Sequence, residues 1–180
     1  VYDARKDLGA GSLREYDDSA WSAAHVNEAN GAKRVSKLNP PIRRIAELKT
    51  VELYESAPGV HVFNLGQNMV GWVRLKVNAP RGTRITLKFG EWLNDDRSVY
   101  RGNLRTAKAT DTYICKGGGE EIFEPHFTFH GFQYVELVCD NAAVVFDADT
   151  ITGMVLCTDM EQTGTFECSD PLINRLQRNI

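Results

Sequence analysis

The sequence lacks the features by which proteins usually bind nucleic acids, membranes or phosphate groups. Its 180 residues include 21 Lys or Arg and 24 Asp or Glu, a formal net charge of −3, whereas nucleic-acid-binding domains are usually basic. The longest uninterrupted apolar run covers only residues 142–146, far short of the roughly 20 residues that a membrane-spanning helix needs. The triglycine at 117–119 is not followed by the Gly-Lys-Ser/Thr of a phosphate loop. We therefore expect no nucleic-acid partner and no membrane association.

The cysteines show no spacing typical of a metal or redox site. Cys115, Cys139, Cys157 and Cys168 contain no Cys-x-x-Cys pair, which is the pattern of zinc ribbons and thioredoxin-like sites. Each lies in or beside an apolar, strand-like run, and this predicts small buried side chains. Four cysteines permit three complete disulfide pairings, and the sequence does not choose among them.

Acidic and histidine side chains are present, but their spacing selects no catalytic or metal site. A glycosidase needs two carboxyl groups at a defined separation, and the acidic residues near the predicted strands favour no particular pair. His126 and His130 are separated by residues that are typical of a strand, which would place them roughly 13 Å apart, too far for one zinc ion. We therefore predict no catalytic residue and no metal ligand.

Calcium is the one cofactor that the sequence leaves open. Asn94, Asp95 and Asp96 adjoin in a predicted turn, and Asp147 and Asp149 form a second acidic pair. Such groups offer several hard oxygen ligands close together. The interpretation that we favour is that these side chains only close turns, and we otherwise expect no cofactor.

From residue 42 onward the sequence predicts an all-β fold. In residues 73–78 the odd positions are apolar and the even positions polar, a pattern typical of an antiparallel strand with one wet face. Pro80 and Gly82 predict a type I turn at 79–82, which would make 70–89 a hairpin. Many short strands without intervening helices indicate a β-sandwich. The predicted strands are 42–53, 60–65, 70–78, 83–89, 112–116, 121–124, 132–139, 150–158 and 164–168.

The two ends of the chain differ from this pattern. Residues 1–34 are irregular apart from one plausible strand at 1–5, so they are predicted to be the end of an upstream module and a linker. Pro171 suits the first turn of a helix, and Leu172, Leu176 and Ile180 recur at helical spacing. This short helix is marginal alone, so we expect its apolar stripe to be disordered, packed on a neighbouring molecule, or folded back onto the sandwich.

One long inter-strand loop, residues 92–105, combines aromatic, amide, acidic and arginine side chains. Sugar rings stack on aromatic faces and their hydroxyls need polar partners, and long loops on a rigid scaffold are common functional sites. The loop is therefore predicted to be a contact surface, for a sugar or for another domain.

Six stretches resemble the region of bacterial α-L-rhamnosidases that precedes their catalytic barrel. The most specific is FEPHFTFHGFQYVE at 123–136. Two residues depart from the family pattern, because Asn64 stands where an acidic residue is usual and Gln133 where arginine is usual. The stretches are residues 1–5, 17–21, 63–72, 102–113, 123–136 and 163–174.

The resemblance implies an antiparallel, concanavalin-like (jelly-roll) β-sandwich over residues 35–162, with 163–180 as the last strand and the start of the first helix of an (α/α)6 barrel. It implies a parent enzyme that is an inverting hydrolase of terminal α-L-rhamnose, whose two catalytic glutamates match no residue here. The implied partners are that barrel, in the same parent chain, and a rhamnose-containing glycan. Residues 64–72 and 92–105 are the predicted contact surface. Its candidate carbohydrate or domain-interface residues are Asn64, Gln67, Asn68, Trp72, Trp92, Asn94, Asp95, Tyr100, Asn103 and Arg105.

Three hypotheses follow for the function. The favoured one is a non-catalytic sandwich that braces the catalytic barrel of an α-L-rhamnosidase and is inactive alone. The second is an independent carbohydrate-binding module, with the loop as its site. The third is a complete small enzyme, or an interaction domain unrelated to sugars.

Overall fold

The computed structural model describes residues 1–9, 11, 13–28 and 31–179. Within these residues the chain forms eleven strands and one α-helix, so the prediction of an all-β fold with a short C-terminal helix is confirmed. Two single turns of 3-10 helix, Ala4–Lys6 and Gly102–Leu104, lie between strands. The elements are β1 (Tyr2–Asp3), β2 (Ile42–Lys49), β3 (Glu52–Ala57), β4 (Val60–Asn78), β5 (Arg84–Gly90), β6 (Trp92–Leu93), β7 (Val99–Tyr100), β8 (Thr110–Ile114), β9 (Glu120–Phe123), β10 (His130–Cys139), β11 (Ile151–Thr158) and α1 (Pro171–Asn179).

The long strand β4 organises the fold. Over its 19 residues it pairs first with β3 and β10, and then with β11 and β9. The described strands form one mixed, nine-stranded sheet in the order β1-β8-β5-β10-β4-β11-β2, with β3 and β9 added along β4, and a separate hairpin of β6 and β7. The sheet is mixed because β1 runs parallel to β8.

The sheet curls around one apolar core. Alternate residues of β4 point inward, and they meet inward residues of β5 and β10. Burying each such large side chain stabilises the fold by about 1.5–3 kcal/mol. The fully buried side chains include Phe63, Leu75, Leu87, Phe132 and Leu137.

The predicted hairpin at 70–89 is wrong, although both of its strands are present. β10 lies between β4 and β5, so these two strands do not pair. The turn is also one residue later than predicted: the Thr83 amide donates to the Pro80 carbonyl at 3.1 Å, and Gly82 has a φ of 90°. Alternation identifies the buried face of a strand but not its neighbour, which is why the predicted pairing is wrong.

The ends of the chain differ in part from expectation. β1 is paired with β8, and Ala4 directly after it belongs to the core. Residues 164–168, predicted as a strand, belong to no strand. Asp170 Oδ1 accepts the Leu172 amide at 2.8 Å at the start of α1, which confirms the helix start.

The apolar stripe of α1 is not folded back onto the sheet. Leu172 and Leu176 are 74% and 60% exposed, so folding back is wrong for these two residues. Packing on a neighbouring molecule stays a prediction, and Ile180 lies outside the described residues. Among the described helices, none is long and apolar enough to cross a membrane.

Candidate functional site

The predicted loop at 92–105 begins as a compact hairpin of β6 and β7, in which Trp92 faces Tyr100. Its tip is closed by its own polar groups. The Asn94 amide donates to the Ser98 carbonyl at 2.9 Å, and Asp96 Oδ1 accepts from the Ser98 hydroxyl at 2.6 Å and from the Ser98 amide at 2.9 Å. These hydrogen bonds from Ser98 hold the pKa of Asp96 below its usual value. At this tip Asp96 Oδ1 is therefore engaged within the turn, while Asn94 and Asp95 are exposed.

Arg97 clamps this hairpin onto the neighbouring strand β3. Its guanidinium donates to Glu52 Oε1 at 2.6 Å and lies 4.0 Å from the centroid of the Tyr54 ring. The Tyr54 hydroxyl in turn donates to the Arg97 carbonyl at 2.9 Å. The hydrogen bond between Arg97 and Glu52 raises the pKa of the arginine and lowers that of the carboxylate. Charge, ring stacking and backbone bonding together fix the position of the hairpin.

The hairpin and its neighbours contribute a set of exposed residues that we call the Trp92 surface. It consists of Asn68, Val70, Glu91, Trp92 and Tyr100. The Asn68 side-chain amide donates to Glu91 Oε1 at 2.9 Å. Trp92 is 73% exposed and Val70 50% exposed. A rigid hairpin thus presents a large aromatic ring to solvent next to an amide–carboxylate pair.

Asn64 and Gln67, also predicted, have different roles. Asn64 Oδ1 accepts from the Gly66 amide at 2.8 Å and from Gln133 Nε2 at 3.1 Å, so Asn64 holds β4 against β10. Gln67 is exposed in the middle of β4. Asn103 and Arg105 follow the hairpin and are exposed, and Arg105 has a φ of 53°.

Trp72, two residues after Val70 on β4, takes part in a network around Glu124. Its indole N–H donates to Glu124 Oε2 at 2.8 Å, and Arg74 and Arg44 donate to the same carboxylate at 2.8 and 3.1 Å. Burial acts to raise the pKa of Glu124, but the hydrogen bonds and the arginine charges outweigh it, and the net pKa is lowered. A general acid needs a raised pKa, so Glu124 is suited to structure and not to acid catalysis.

The segment between β9 and β10 is a loop, and not the strand that was predicted through residues 127–129. Phe127 has a φ of 62° and is fully exposed. His126 remains in the loop, whereas His130 begins β10, where its Nε2 lies 3.1 Å from Asp111 Oδ2 and its ring stacks on Phe89 with centroids 4.3 Å apart. Among the described residues, no group of three or more His, Cys, Asp or Glu side chains could hold a metal ion.

A groove that the sequence did not reveal runs beside this loop, between it and β1. Its volume is about 940 Å³. Tyr2 and Phe123 stack beside it with ring centroids 5.1 Å apart, and Tyr113 stacks on Phe123 at 4.7 Å. The aromatic residues of the stretch at 123–136 were the available signal, but the partner Tyr2 is over a hundred residues away in sequence.

The chain is similar to known proteins of one family. The family model for the bacterial alpha-L-rhamnosidase concanavalin-like domain matches residues 54–157. An alpha-L-rhamnosidase of Streptomyces avermitilis is 42% identical over all of this chain, which covers 17% of that protein. One from Formosa agariphila is 34% identical over 98% of this chain, which covers 19% of it.

Solved structures agree with these sequence relatives. The alpha-L-rhamnosidase from Dictyoglumus thermophilum superimposes with a TM-score of 0.90 at 38% identity, over 99% of this chain and 20% of that one. The Streptomyces avermitilis enzyme, solved in complex with L-rhamnose, gives a TM-score of 0.86 at 42% identity, over 99% of this chain and 17% of that one. The chain therefore spans about a fifth of the length of these relatives.

Proposed function

Because the chain belongs to the bacterial α-L-rhamnosidase family through its concanavalin-like domain, we propose that it is the non-catalytic β-sandwich part of such an enzyme. In this proposal the parent enzyme hydrolyses terminal α-L-rhamnose from glycosides, and this part braces the catalytic (α/α)6 barrel of the same chain. The small share of its relatives that the chain covers supports this role. So does the lowered pKa of Glu124, a carboxylate that is bonded to Trp72 and lines the groove.

The Trp92 surface is the observation that carries the bracing role. Isolated exposed apolar residues are common, but an exposed tryptophan beside further apolar side chains marks an interaction site. Tryptophan is also enriched among the residues that dominate interface energy. The clamp formed by Arg97 keeps the hairpin ordered before any partner is bound, which reduces the entropy cost of association.

The test uses a full-length enzyme that contains this segment. We expect Trp92→Ala to lower the thermal stability of the catalytic part and its turnover of an aryl α-L-rhamnoside. Trp21→Ala is the matched control, since Trp21 is also exposed, at 53%, and lies outside the Trp92 surface. Equal behaviour of the two variants would contradict bracing through this surface, and turnover by the 180-residue chain alone would contradict the non-catalytic role.

A second candidate function is an independent carbohydrate-binding module. The observation that favours it is the exposed Trp92 ring next to the polar pair of Asn68 and Glu91. Calorimetric titration of the chain with L-rhamnose, with and without calcium, tests this role. Heat that disappears in Trp92→Ala would support it, and heat that depends on calcium would support an ion site at one of the two acidic turns.

A further inference from the structure

The groove beside β1 is bordered by the unpaired part of a strand edge. Strand β8 pairs with β5 along one edge over residues 110–114, but on its other edge β1 reaches only residues 113 and 114. Among the strands of the described residues, none pairs with this edge at 110–112. Asp111, Thr112 and Tyr113 all line the groove. Because consecutive side chains of a strand point to opposite faces, a groove that touches all three follows the edge of the strand.

The backbone groups of Thr110 and Thr112 are directed to this open edge. Cys115, directly after β8, donates its amide to the Thr83 carbonyl at 2.9 Å, which continues the ladder between β8 and β5. In an antiparallel pair, residues that bond to the partner strand alternate with residues that face away from it. The odd-numbered residues of β8 therefore bond to β5, and the even-numbered ones face away. Unpaired backbone groups at a strand edge are a template for a further strand.

The opposite wall of the groove contains a second open edge. Strand β9 pairs with β4 and with no other strand of the described residues, and all four of its residues line the groove. Ile122 in this wall is 63% exposed. Tyr2 of β1 stacks on Phe123 of β9 with ring centroids 5.1 Å apart. The groove is thus a slot between two strand edges, a shape that suits an extended peptide.

Four carboxylates that line the groove are already held by other side chains, so they do not select a charged ligand. The hydrogen-bonding capacity that stays open belongs to the backbone of β8, which is neutral. A peptide backbone matches it better than an ion does. The four pairs are Glu124 with Arg74 at 2.8 Å, Glu120 with Lys76 at 3.1 Å, Glu121 with Tyr113 at 2.8 Å and Asp111 with His130 at 3.1 Å.

We propose that, in the longer enzyme of the proposed function, this groove holds a further strand formed by the residues that lead into Val1. Strand β1 runs parallel to β8, with Tyr2 opposite Tyr113. In the same register Val1 lies opposite Thr112, and the residue before it lies opposite Asp111, inside the groove. The added strand is therefore a continuation of the interface that already joins β1 to β8.

The register also defines the hydrogen bond that the added strand makes. In a parallel pair the bonds are evenly spaced along the edge, so the carbonyl of the residue before Val1 accepts from the Thr112 amide. The inference rests on the proposed function, since only a longer chain contains these residues.

Hydrogen exchange at the Thr112 amide tests the inference, compared between the 180-residue chain and a full-length enzyme that contains it. We expect this amide to exchange about tenfold more slowly in the full-length enzyme, which is the effect of one hydrogen bond. The Tyr113 amide is the internal control. It faces β5 and should be protected equally in both proteins.

Thr112→Pro provides a second measurement, because proline has no amide N–H to donate. Proline is tolerated at an unpaired strand edge, so the melting temperature of the 180-residue chain should change little. In the full-length enzyme the melting temperature of this domain should fall by about 2–4 °C. Thr112→Ala is the matched control, since it removes the side chain but keeps the N–H, and it should affect both proteins equally.

Three outcomes would overturn the inference. One is fast exchange at Thr112 in the full-length enzyme, and another is an equal effect of Thr112→Pro on the two proteins. The third is protection of Thr112 in the 180-residue chain that grows with its concentration, which would place a second copy in the groove. Turnover of an aryl α-L-rhamnoside by the same full-length preparation separates this inference from the proposed function. An active enzyme with fast exchange at Thr112 contradicts only the added strand, and an inactive one with slow exchange contradicts only the rhamnosidase activity.

Discussion

Asn64 Oδ1 accepts a hydrogen bond from Gln133 Nε2 at 3.1 Å, so the two residues singled out in the sequence as departures from the family pattern contact each other. The resemblance implies an acid and an arginine at these positions, whereas this chain has two amides. We expect the two departures to be one exchange, of a charged pair for a neutral hydrogen bond. Neutral bonds of this kind are weaker than charge-assisted ones, but they leave no charge partly buried between β4 and β10.

The first prediction is that these two positions are energetically coupled. Asn64→Asp alone should destabilise the fold, because Asn64 also hydrogen-bonds Glu52 and a second carboxylate would repel it. Gln133→Arg alone should destabilise it too, because it places an unpaired cation there. The double variant should recover about 1 kcal/mol relative to the sum of the single changes. Urea unfolding of all four proteins measures this coupling, and additivity within about 0.3 kcal/mol would contradict it.

A second prediction concerns the clamp on the hairpin. Arg97→Ala removes the contacts with Glu52 and Tyr54, so amides at 92–100 should exchange hydrogen faster while the amides of β10 stay protected. Mass spectrometry after hydrogen–deuterium exchange measures the change. Arg105→Ala is the control, as Arg105 is exposed in the same loop and also has a positive φ. The same exchange rate in both variants would mean that Arg97 does not order the hairpin.

A third prediction is a pH dependence centred on Glu124. Its pKa in the folded chain lies below the ordinary value of 4.5, so the unfolded state binds the proton more tightly. The stabilising contribution is therefore present above pH 4.5 and is lost as the pH falls through the folded-state pKa. The melting temperature should fall less steeply below pH 4.5 in Glu124→Gln, which keeps the shape but cannot ionise. Parallel melting curves of the two proteins down to pH 3 would show that another group causes the acid sensitivity.

A fourth prediction concerns the backbone strain at Phe127, whose φ is 62°. Phe127→Gly relieves the left-handed strain, worth about 1–2 kcal/mol, and costs about 0.5–1 kcal/mol of extra chain entropy. A small gain in the free energy of unfolding should result. Phe127→Val, in contrast, should destabilise the chain, because a β-branched residue fits this backbone poorly. Thermal melts of both variants provide the comparison, and destabilisation by glycine would contradict stored strain.

The sequence predicted which residues would be buried better than it predicted which strands would be neighbours. Alternation at 73–78 and 84–89 placed the inward side chains of β4 and β5 correctly. It could not reveal that β10, some 50 residues later, lies between them, because pairing depends on the curl of the whole sheet.

The candidate site was predicted unevenly for similar reasons. Composition identified the loop that holds Trp92 and Tyr100. In the structure Asn68 lies beside this loop, because it hydrogen-bonds Glu91, the residue before Trp92. Trp72 was grouped with them, but its indole N–H is bound to Glu124, just after β9, a contact that depends on the pairing of β9 with β4. The groove was missed because Tyr2 and Phe123 meet only through the parallel pairing of β1 with β8.

Strand β4 pairs with strands in both halves of the sheet, and this affects how the domain unfolds. A sheet made of two independently paired halves could lose one half and keep the other as a partly folded intermediate. Here the single strand β4 is hydrogen-bonded to strands of both halves. Unfolding of either half therefore breaks backbone hydrogen bonds of the strand on which the other half depends. We expect the domain to unfold in a single all-or-none step.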